Sequence, residues 1–434
     1  MNDRPPLYRW QKESIRVWEY RQARLWPFGE EEEYGLDAFN EDTTIAGVTG
    51  SGKTMVALEI MDKVKEHTLP GTRLFITIIV PRKPLMIQWR ENLLDWGYPE
   101  ESIGRVGGGS IKGWPNKPSS SGTFNINIIT IQSMSRGKAD FIPKEVDDNF
   151  QYYNSNGDSD VRKRTSLPKD VEHFVVVDEC HNLRGKKMRE ALSEANCPRD
   201  RVLGLSATPH PDESAKLVVE ALCGPIRYSY RYAQALVDGV IPPFRLHAIQ
   251  IPLSVDEKNA VGVITDKITG VMRKSRQEWG AEARRLIKMG KDLGTQRKRV
   301  LNRCRSRFPM SLRILNHHGV DTPTLLFHES TPDVDRLAQM TEHFNPAIYH
   351  SNRTDKDAEL ERFKTGETNH LFSCLSLTEG FNVPRVKVAI MMSGPNAPLR
   401  RIQTLGRCLR GDGSTPNEIY FLYVAGTKDE EGLH

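Results

Sequence analysis

Short apolar runs alternate with amphipathic stretches along the chain. In the first half the runs are Leu74–Val80, Ile126–Ile131, Phe174–Val177 and Val202–Leu205; in the second they are Thr324–Phe327, Leu371–Cys374, Val386–Met392 and Ile419–Val424. They are continuous rather than alternating, as expected of strands covered on both faces of a parallel sheet. Between them, stretches such as Met55–Lys65 and Leu85–Trp96 carry helical periodicity. The resulting βαβα order predicts an α/β fold of two tandem, doubly wound parallel-sheet domains. Val240-Ile241-Pro242-Pro243 breaks regular structure and sets the expected domains at 1–238 and 239–434.

From about Asp256 to His318 the pattern turns helical and strongly basic, with Arg297, Lys298, Arg299, Arg303, Arg305 and Arg307 close together. It reads as a helical basic insertion between the two sheets, at 256–318. Such a run is either a solvated helical face or one that meets phosphates. Two polar segments, Gly107–Gly122 and about Asp147–Arg164, read as surface loops. No internal sequence repeat is present.

Composition narrows the class without deciding it. The chain has 434 residues, 38% hydrophobic and 27% charged, enough for two or three domains. No apolar run approaches the roughly 18 residues that span a bilayer. Met1–Tyr8 has no apolar signal core, so an intracellular, cytoplasmic protein with no membrane partner is expected, the nucleus remaining open. The six cysteines, at 180, 197, 223, 304, 374 and 408, form no C-x-x-C pair. Neither a metal cluster nor a disulfide framework is expected of them. A net charge of +5 is compatible with a polyanionic partner and does not by itself establish one.

The chemistry begins at Gly47-Val48-Thr49-Gly50-Ser51-Gly52-Lys53-Thr54, which fits G-x-x-x-x-G-K-[ST] at every fixed position. Glycines allow the backbone to curl so that the N–H groups of Thr49, Gly50, Ser51 and Gly52 converge on phosphate oxygens. Lys53 supplies a charge for the outer phosphates and Thr54 a hydroxyl for Mg²⁺. The positive end of the helix that starts here faces the anion. Downstream, Phe174-Val175-Val176-Val177 runs into Asp178-Glu179-Cys180-His181. Ligands of open α/β sheets gather at the carboxyl ends of strands. Asp178 is therefore placed to hold Mg²⁺ through its water shell, and Glu179 to polarise an attacking water.

Three further stretches are weaker alone. Ser206-Ala207-Thr208 follows a strand and offers hydroxyls to the same edge, or simply makes a turn before Pro209. Gln403, Gly406, Arg407 and Arg410 share one helical face, presenting an amide and two guanidiniums, or else a plain basic helix. An arginine set against the γ-phosphoryl group contributes a rate factor on the order of 10³–10⁵. In Leu7-Tyr8-Arg9-Trp10-Gln11 the amide of Gln11 suits an adenine edge, or is a surface glutamine.

Taken in order, these pieces resemble the superfamily 2 helicases and translocases over nearly the whole chain. Tyr8-Arg9-Trp10-Gln11 is similar to the adenine-sensing entry motif and Thr49–Thr54 to motif I. Val80-Pro81-Arg82-Lys83-Pro84-Leu85 with Gln88-Trp89 resembles motif Ia, and Thr130-Ile131-Gln132-Ser133-Met134 motif Ib. Asp178-Glu179-Cys180-His181 is a DExH-type motif II, and Ser206-Ala207-Thr208 is similar to motif III. Thr324-Leu325-Leu326-Phe327 resembles motif IV, Leu377–Pro384 motif V and Gln403–Arg410 motif VI. Val106-Gly107-Gly108-Gly109 and the Glu-Gly-Phe-Asn-Val-Pro form of motif V resemble the branch of the xeroderma-group repair and transcription helicase and related phage recombination helicases. Restriction-enzyme motor subunits share much of the pattern. Two positions depart: motif II ends Cys-His where Ala-His or Ala-Asp is commoner, and Asn382 stands where many relatives carry Asp. Motif I begins so early that no long N-terminal damage-recognition domain is expected.

The resemblance implies two RecA-like domains facing each other across ATP, with ATP and Mg²⁺ as cofactors. Lys53, Thr54, Asp178 and Glu179 would come from one domain. Gln403, Arg407 and Arg410 would come from the other, with Gly380 and Asn382 of motif V beside the nucleotide. Nucleic acid, DNA favoured over RNA, would lie across both domains and touch Arg82, Thr130, Ser133 and Thr378. Contacts of that kind are to the backbone and carry little sequence preference. The implied activity is an ATP-driven helicase or translocase, 3′→5′ on DNA. His181 would couple the acids to the Arg407 face, or serve as a structural histidine. The alternative is a nucleotide-gated binding subunit of a larger restriction, defence or repair complex that separates no strands. A small-molecule P-loop kinase would leave the late arginine face unexplained.

Overall fold

A computed structural model describes residues 4–22, 42–107, 110–112, 124–134, 167, 170–183, 185–193, 196–209, 213–374, 385–393, 416–427 and 430. They fall into two compact units, Met1–Val240 and Ile241–His434.

The first unit contains α1 (Arg9–Gln22), β1 (Thr43–Gly47), α2 (Lys53–His67), β2 (Arg73–Val80), α3 (Lys83–Trp96), β3 (Ile103–Gly107), β4 (Ser110–Lys112) and β5 (Phe124–Thr130). It continues with α4 (Ile131–Met134), β6 (Val171–Asp178), α5 (Lys186–Ala191), β7 (Arg201–Ser206), α6 (Glu213–Cys223), β8 (Ile226–Tyr230) and α7 (Tyr232–Val237). The sheet order is β4-β3-β5-β2-β6-β7-β1-β8, parallel throughout except for β3 against β4. Each apolar run of the first half falls on one of these strands, Ile131 alone passing beyond β5 into α4. β2 and β6 sit mid-sheet and are buried along almost their whole length, which is why their hydrophobicity does not alternate. Helix α2 buries Val56, Ala57, Leu58, Ile60, Met61 and Val64. Helix α3 buries Leu85, Met86, Trp89, Leu93 and Trp96 and stops at Gly97, whose φ of 101° suits glycine.

Strands β1 and β4 escape the hydrophobic pattern. β1 opens with two threonines, and Thr44 is buried only because its hydroxyl donates to the carbonyls of Cys223 and Gly224. The expected loop Gly107–Gly122 is corrected at Ser110–Lys112, which pairs antiparallel with β3, Arg105 opposite Lys112. Ser110, Ile111 and Lys112 make a strand there because a partner edge is present, not because of their own pattern. The other expected loop, at 147–164, lies outside the described residues.

The second unit contains β9 (Phe244–Gln250), α8 (Val255–Ser275), α9 (Gly280–Asn302), α10 (Arg307–His318), β10 (Thr324–His328), α11 (Thr331–Met340), β11 (Ala347–Tyr349), α12 (Lys356–Thr365), β12 (His370–Cys374), β13 (Val388–Met391) and β14 (Asn417–Tyr423). Its order is β11-β12-β10-β13-β14-β9, every neighbouring pair parallel. Strand β9 pairs with β14 from Phe244 opposite Asn417 to Gln250 opposite Tyr423. The sheet of this unit therefore begins before the basic helices. The basic segment at 256–318 is an excursion of three helices inside this second unit, within the domain expected at 239–434. Two α/β units with parallel sheets are thus present, the fold class read from the chain.

One member of the basic run is also corrected. Arg307 is fully buried, not part of an exposed face. Its guanidinium donates to the carbonyls of Leu301 (3.1 Å), Leu422 (2.6 Å) and Met392. Three backbone acceptors let a buried charge persist where an unpartnered one would not. No helix among the described residues is long and apolar enough to cross a membrane.

Candidate active site

The sequence-selected residues of the first unit gather at the carboxyl edge of its sheet. β1 ends at Gly47 and feeds the phosphate loop; β6 ends at Asp178, β7 at Ser206 and β5 at Thr130. Gly50 and Gly52 take φ of 85° and 90°, left-handed values that glycine adopts without strain. Lys53 Nζ donates to the Gly47 carbonyl at 2.9 Å. Gly52 caps α2, whose first turn holds no acid to compete with an incoming anion. The Thr49 hydroxyl is buried without a hydrogen-bond partner. Such a group is expected where a ligand completes the site.

Gln11 is 2% exposed, and its amide is engaged by protein. Nε2 donates to the Gly52 carbonyl at 3.0 Å and the Ser51 carbonyl at 3.4 Å, while Oε1 accepts from the Tyr8 N–H at 2.8 Å. The side chain holds the phosphate loop from behind. A Cβ at Gly52 would lie 2.5 Å from Nε2, so glycine is required there on steric grounds as well. Neighbouring Trp10 stacks on Tyr230, ring centroids 4.7 Å apart, and a Cβ at Gly47 would sit 3.2 Å from the indole. On its other side Trp10 helps line an open cavity of 390 Å³, with Arg9, Glu13, Tyr228, Tyr230 and Asp238. No sequence signal marked Tyr228, Tyr230 or Asp238, which reach this place only through β8 and α7.

The acids are held tightly. Asp178 Oδ1 accepts the Glu179 N–H and Oδ2 accepts the Trp89 indole N–H, both at 2.9 Å. Burial, and then the adjacent Glu179 charge, push the Asp178 carboxyl up to about 6; Trp89 and the Lys53 ammonium pull the other way. Glu179 sits at φ 51°, a left-handed backbone uncommon for a residue with a Cβ. Strain of that kind concentrates at functional positions. Its Oε2 is buried without a hydrogen bond and lies 3.4 Å from His181 Nδ1. The same Nδ1 is 2.9 Å from Ser206 Oγ, which also accepts the Thr208 N–H at 3.1 Å. His181 thus joins the acid pair to the Ser-Ala-Thr strand end. Thr208 Oγ1 is a further buried hydroxyl without a partner.

Residues 4–211 match the family described as Type III restriction enzyme, res subunit, and residues 306–412 match the helicase conserved C-terminal domain. The chain belongs to superfamily 2, the helicases and translocases, and is related to XPB. The DNA 3'-5' translocase XPB2 of Sulfurisphaera tokodaii is 24% identical over 83% of this chain and 73% of that protein. The chain spans 61% and 62% of the length of two further curated relatives. The Hef helicase domain of Pyrococcus furiosus matches with a TM-score of 0.53 at 15% identity, covering 90% of this chain and 94% of that one. S. cerevisiae Dbp5 bound to RNA and ADP BeF3 matches at 0.51 and 14% identity, covering 98% and 90%. At these identities the solved structures attest the RecA-like fold of the superfamily and nothing finer.

Of the residues expected at nucleic acid, Arg82 is exposed at the start of α3. Thr130 is 4% exposed, its hydroxyl turned to Ser133 Oγ at 3.0 Å. The pair packs on Gly107, where a Cβ would lie 2.4 Å from Thr130 Oγ1. Thr378, Gly380, Asn382, Gln403, Arg407 and Arg410 lie outside the described residues.

Proposed function

We propose that this chain is an ATP-driven translocase on nucleic acid, DNA in preference to RNA, moving 3′→5′. The observation that carries the reading is the convergence of Lys53, Asp178, Glu179, His181 and Ser206 at one sheet edge, with buried oxygens left unmet. Asp178 and Thr54 are hard oxygen donors and suit Mg²⁺; a buried carboxylate whose charge is disfavoured, as that of Asp178 is, is what a cation relieves. Bound there, Mg²⁺ would neutralise charge on the β- and γ-phosphate oxygens. Lys53 exchanges the Gly47 carbonyl for the outer phosphates. Glu179, its free Oε2 beside His181, orients the attacking water. Arg407 and Arg410 offset charge developing on the γ-phosphoryl group, with Gln403 alongside. The cavity next to Trp10, with the half-buried Tyr228 in its wall, gives the base an aromatic surface close to the loop. Loss of the γ-phosphate releases the closed arrangement of the two domains and advances the strand.

The nucleic-acid partner is supported by charge. Helices α8 and α9 pack antiparallel, Thr265 against Arg297 and Met272 against Gly290. Residues 255–305 hold fourteen Lys or Arg and six Asp or Glu, net +8 in a chain of net +5. The hairpin ends in Trp279, 89% exposed. Such a surface suits a phosphate backbone. DNA and polarity are further supported by the similarity to XPB2, a DNA 3'-5' translocase.

The match to a restriction-enzyme subunit favours a second reading, a nucleotide-gated clamp in a larger complex that does not move. ATP hydrolysis measured with single- and double-stranded DNA and RNA, followed by displacement of a triplex-forming strand, separates the two. The motor reading expects stimulated hydrolysis and displacement. Stimulation without displacement favours the clamp, and no stimulation by any nucleic acid overturns both.

A further inference from the structure

Trp89 is buried on α3, and a tryptophan there needs no explanation beyond packing. Its N–H does. The indole donates to Oδ2 of Asp178, the acid placed at the metal, while the Glu179 N–H takes Oδ1. Rotation of a carboxylate about its last bond is soft, so two donors on opposite oxygens determine its plane. Hydrogen bonds to an ionised, buried acceptor are the strong ones. Side chains on a helix lean toward its N-terminus, which lets Trp89 reach the carboxyl edge from two turns down α3.

The other end of the same helix points to nucleic acid. Arg82 caps α3 at the carboxyl end of β2, the strand lying between β5 and β6. The seven residues from Arg82 to Trp89 span about 10 Å of helix. Leu85, Met86 and Leu93 on the buried face are at most 7% exposed, so α3 moves as one body against the sheet.

We propose that Trp89 is a positioning residue: it orients Asp178 for Mg²⁺ and transmits strand occupancy at Arg82 to the metal side through α3. This rests on the reading of the first unit as a Mg·ATP site. It assigns to an indole N–H a role that an apolar ring of the same shape could not fill.

The test replaces Trp89 in the full chain with β-(3-benzothienyl)alanine, which keeps the ring and exchanges N–H for sulfur, by site-specific incorporation. 5-Fluorotryptophan, which retains the N–H, is the conservative control, and W89F with a melting curve checks for simple loss of fold. Binding of a fluorescent (MANT) ADP is titrated with Mg²⁺ and repeated in EDTA. The expected result is an Mg²⁺ midpoint raised about tenfold, the scale of one hydrogen bond to a charged group. Metal-free affinity stays within twofold and the fluorinated control behaves as wild type. The ratio of strand-stimulated to basal hydrolysis falls. An unchanged Mg²⁺ midpoint in the benzothienyl protein overturns the positioning role. A raised midpoint with an unchanged stimulation ratio overturns transmission along α3. If the wild type is stimulated by no nucleic acid, the translocase reading fails separately, and the Mg²⁺ titration still decides the role of the indole.

Discussion

Two buried ionisable groups, one in each unit, respond to the same solvent exclusion in opposite senses. In the first unit Asp178 is pushed up to about 6, yet stays near enough to neutrality to be charged at physiological pH. In the second, His370 on β12 is fully buried against Phe344 and pushed down to about 4, so it stays uncharged. Burial disfavours whichever form carries charge. The difference lies in what can relieve it. Asp178 sits at an edge with Lys53 nearby and unmet oxygens around it, where the proposed cation and phosphates would complete the electrostatics. His370 lies within a core strand, and remaining neutral is its only remedy. Arg307 in the same unit shows the third solution, a buried charge met by three carbonyls. The first unit holds a cost that the proposed ligand would remove, whereas the second meets its cost within the protein, by neutrality at His370 and by carbonyls at Arg307.

The largest effects should come from removing the groups that meet the ligand. Lys53→Ala and Arg407→Ala are each expected to lower ATP turnover by roughly 10³-fold, with the fold retained by circular dichroism. Glu179→Gln should keep nucleotide affinity within a few-fold of wild type while turnover falls by about 10²–10⁴. Full turnover in that variant would move the water-orienting role elsewhere.

Stability against pH sharpens the contrast. The folded pKa of His370 lies below its unfolded value, so the unfolded chain binds more protons between pH 6.5 and 4. Its contribution is complete above pH 6.5 and is lost as pH falls toward 4, about 3 kcal/mol in all. His370→Phe should flatten the acid limb of urea midpoints measured from pH 7.5 to 4.5. Asp178 has the reverse sign. Its folded pKa is raised, so the folded state binds more protons between pH 4 and 6 and its ionisation costs stability above that window. Asp178→Asn should therefore melt a few degrees higher than wild type at pH 7.5 without nucleotide, the advantage fading toward pH 4, while hydrolysis is lost. The smallest effect is expected at the hairpin. Arg284→Ala and Lys288→Ala should each lower the slope of log K against log salt by about 1 if that residue meets a phosphate.

Much of this was legible beforehand because it is local. Every continuous apolar run became a strand, since a strand buried on both faces has no polar side to show. The phosphate loop and the acid pair were readable because glycine, lysine and carboxylates at such spacings have few other uses. The strands β1, β4 and β9 were not readable, their polar residues being tolerated only by partners across the sheet. The basic run misled at Arg307, because nothing in a string of arginines tells which one turns inward.

By itself the chain determined which groups are present: a glycine-rich loop ending in a lysine and a threonine, two acids and the succession of strands that carries them to one edge. Only the tertiary structure decided how they are held. The Gln11 amide behind the loop meets carbonyls 40 and 41 residues away, and the Trp89 indole meets Asp178 across 89. A hydrogen bond depends on tenths of an ångström in three dimensions, whereas a pattern along the chain specifies only which face a residue occupies.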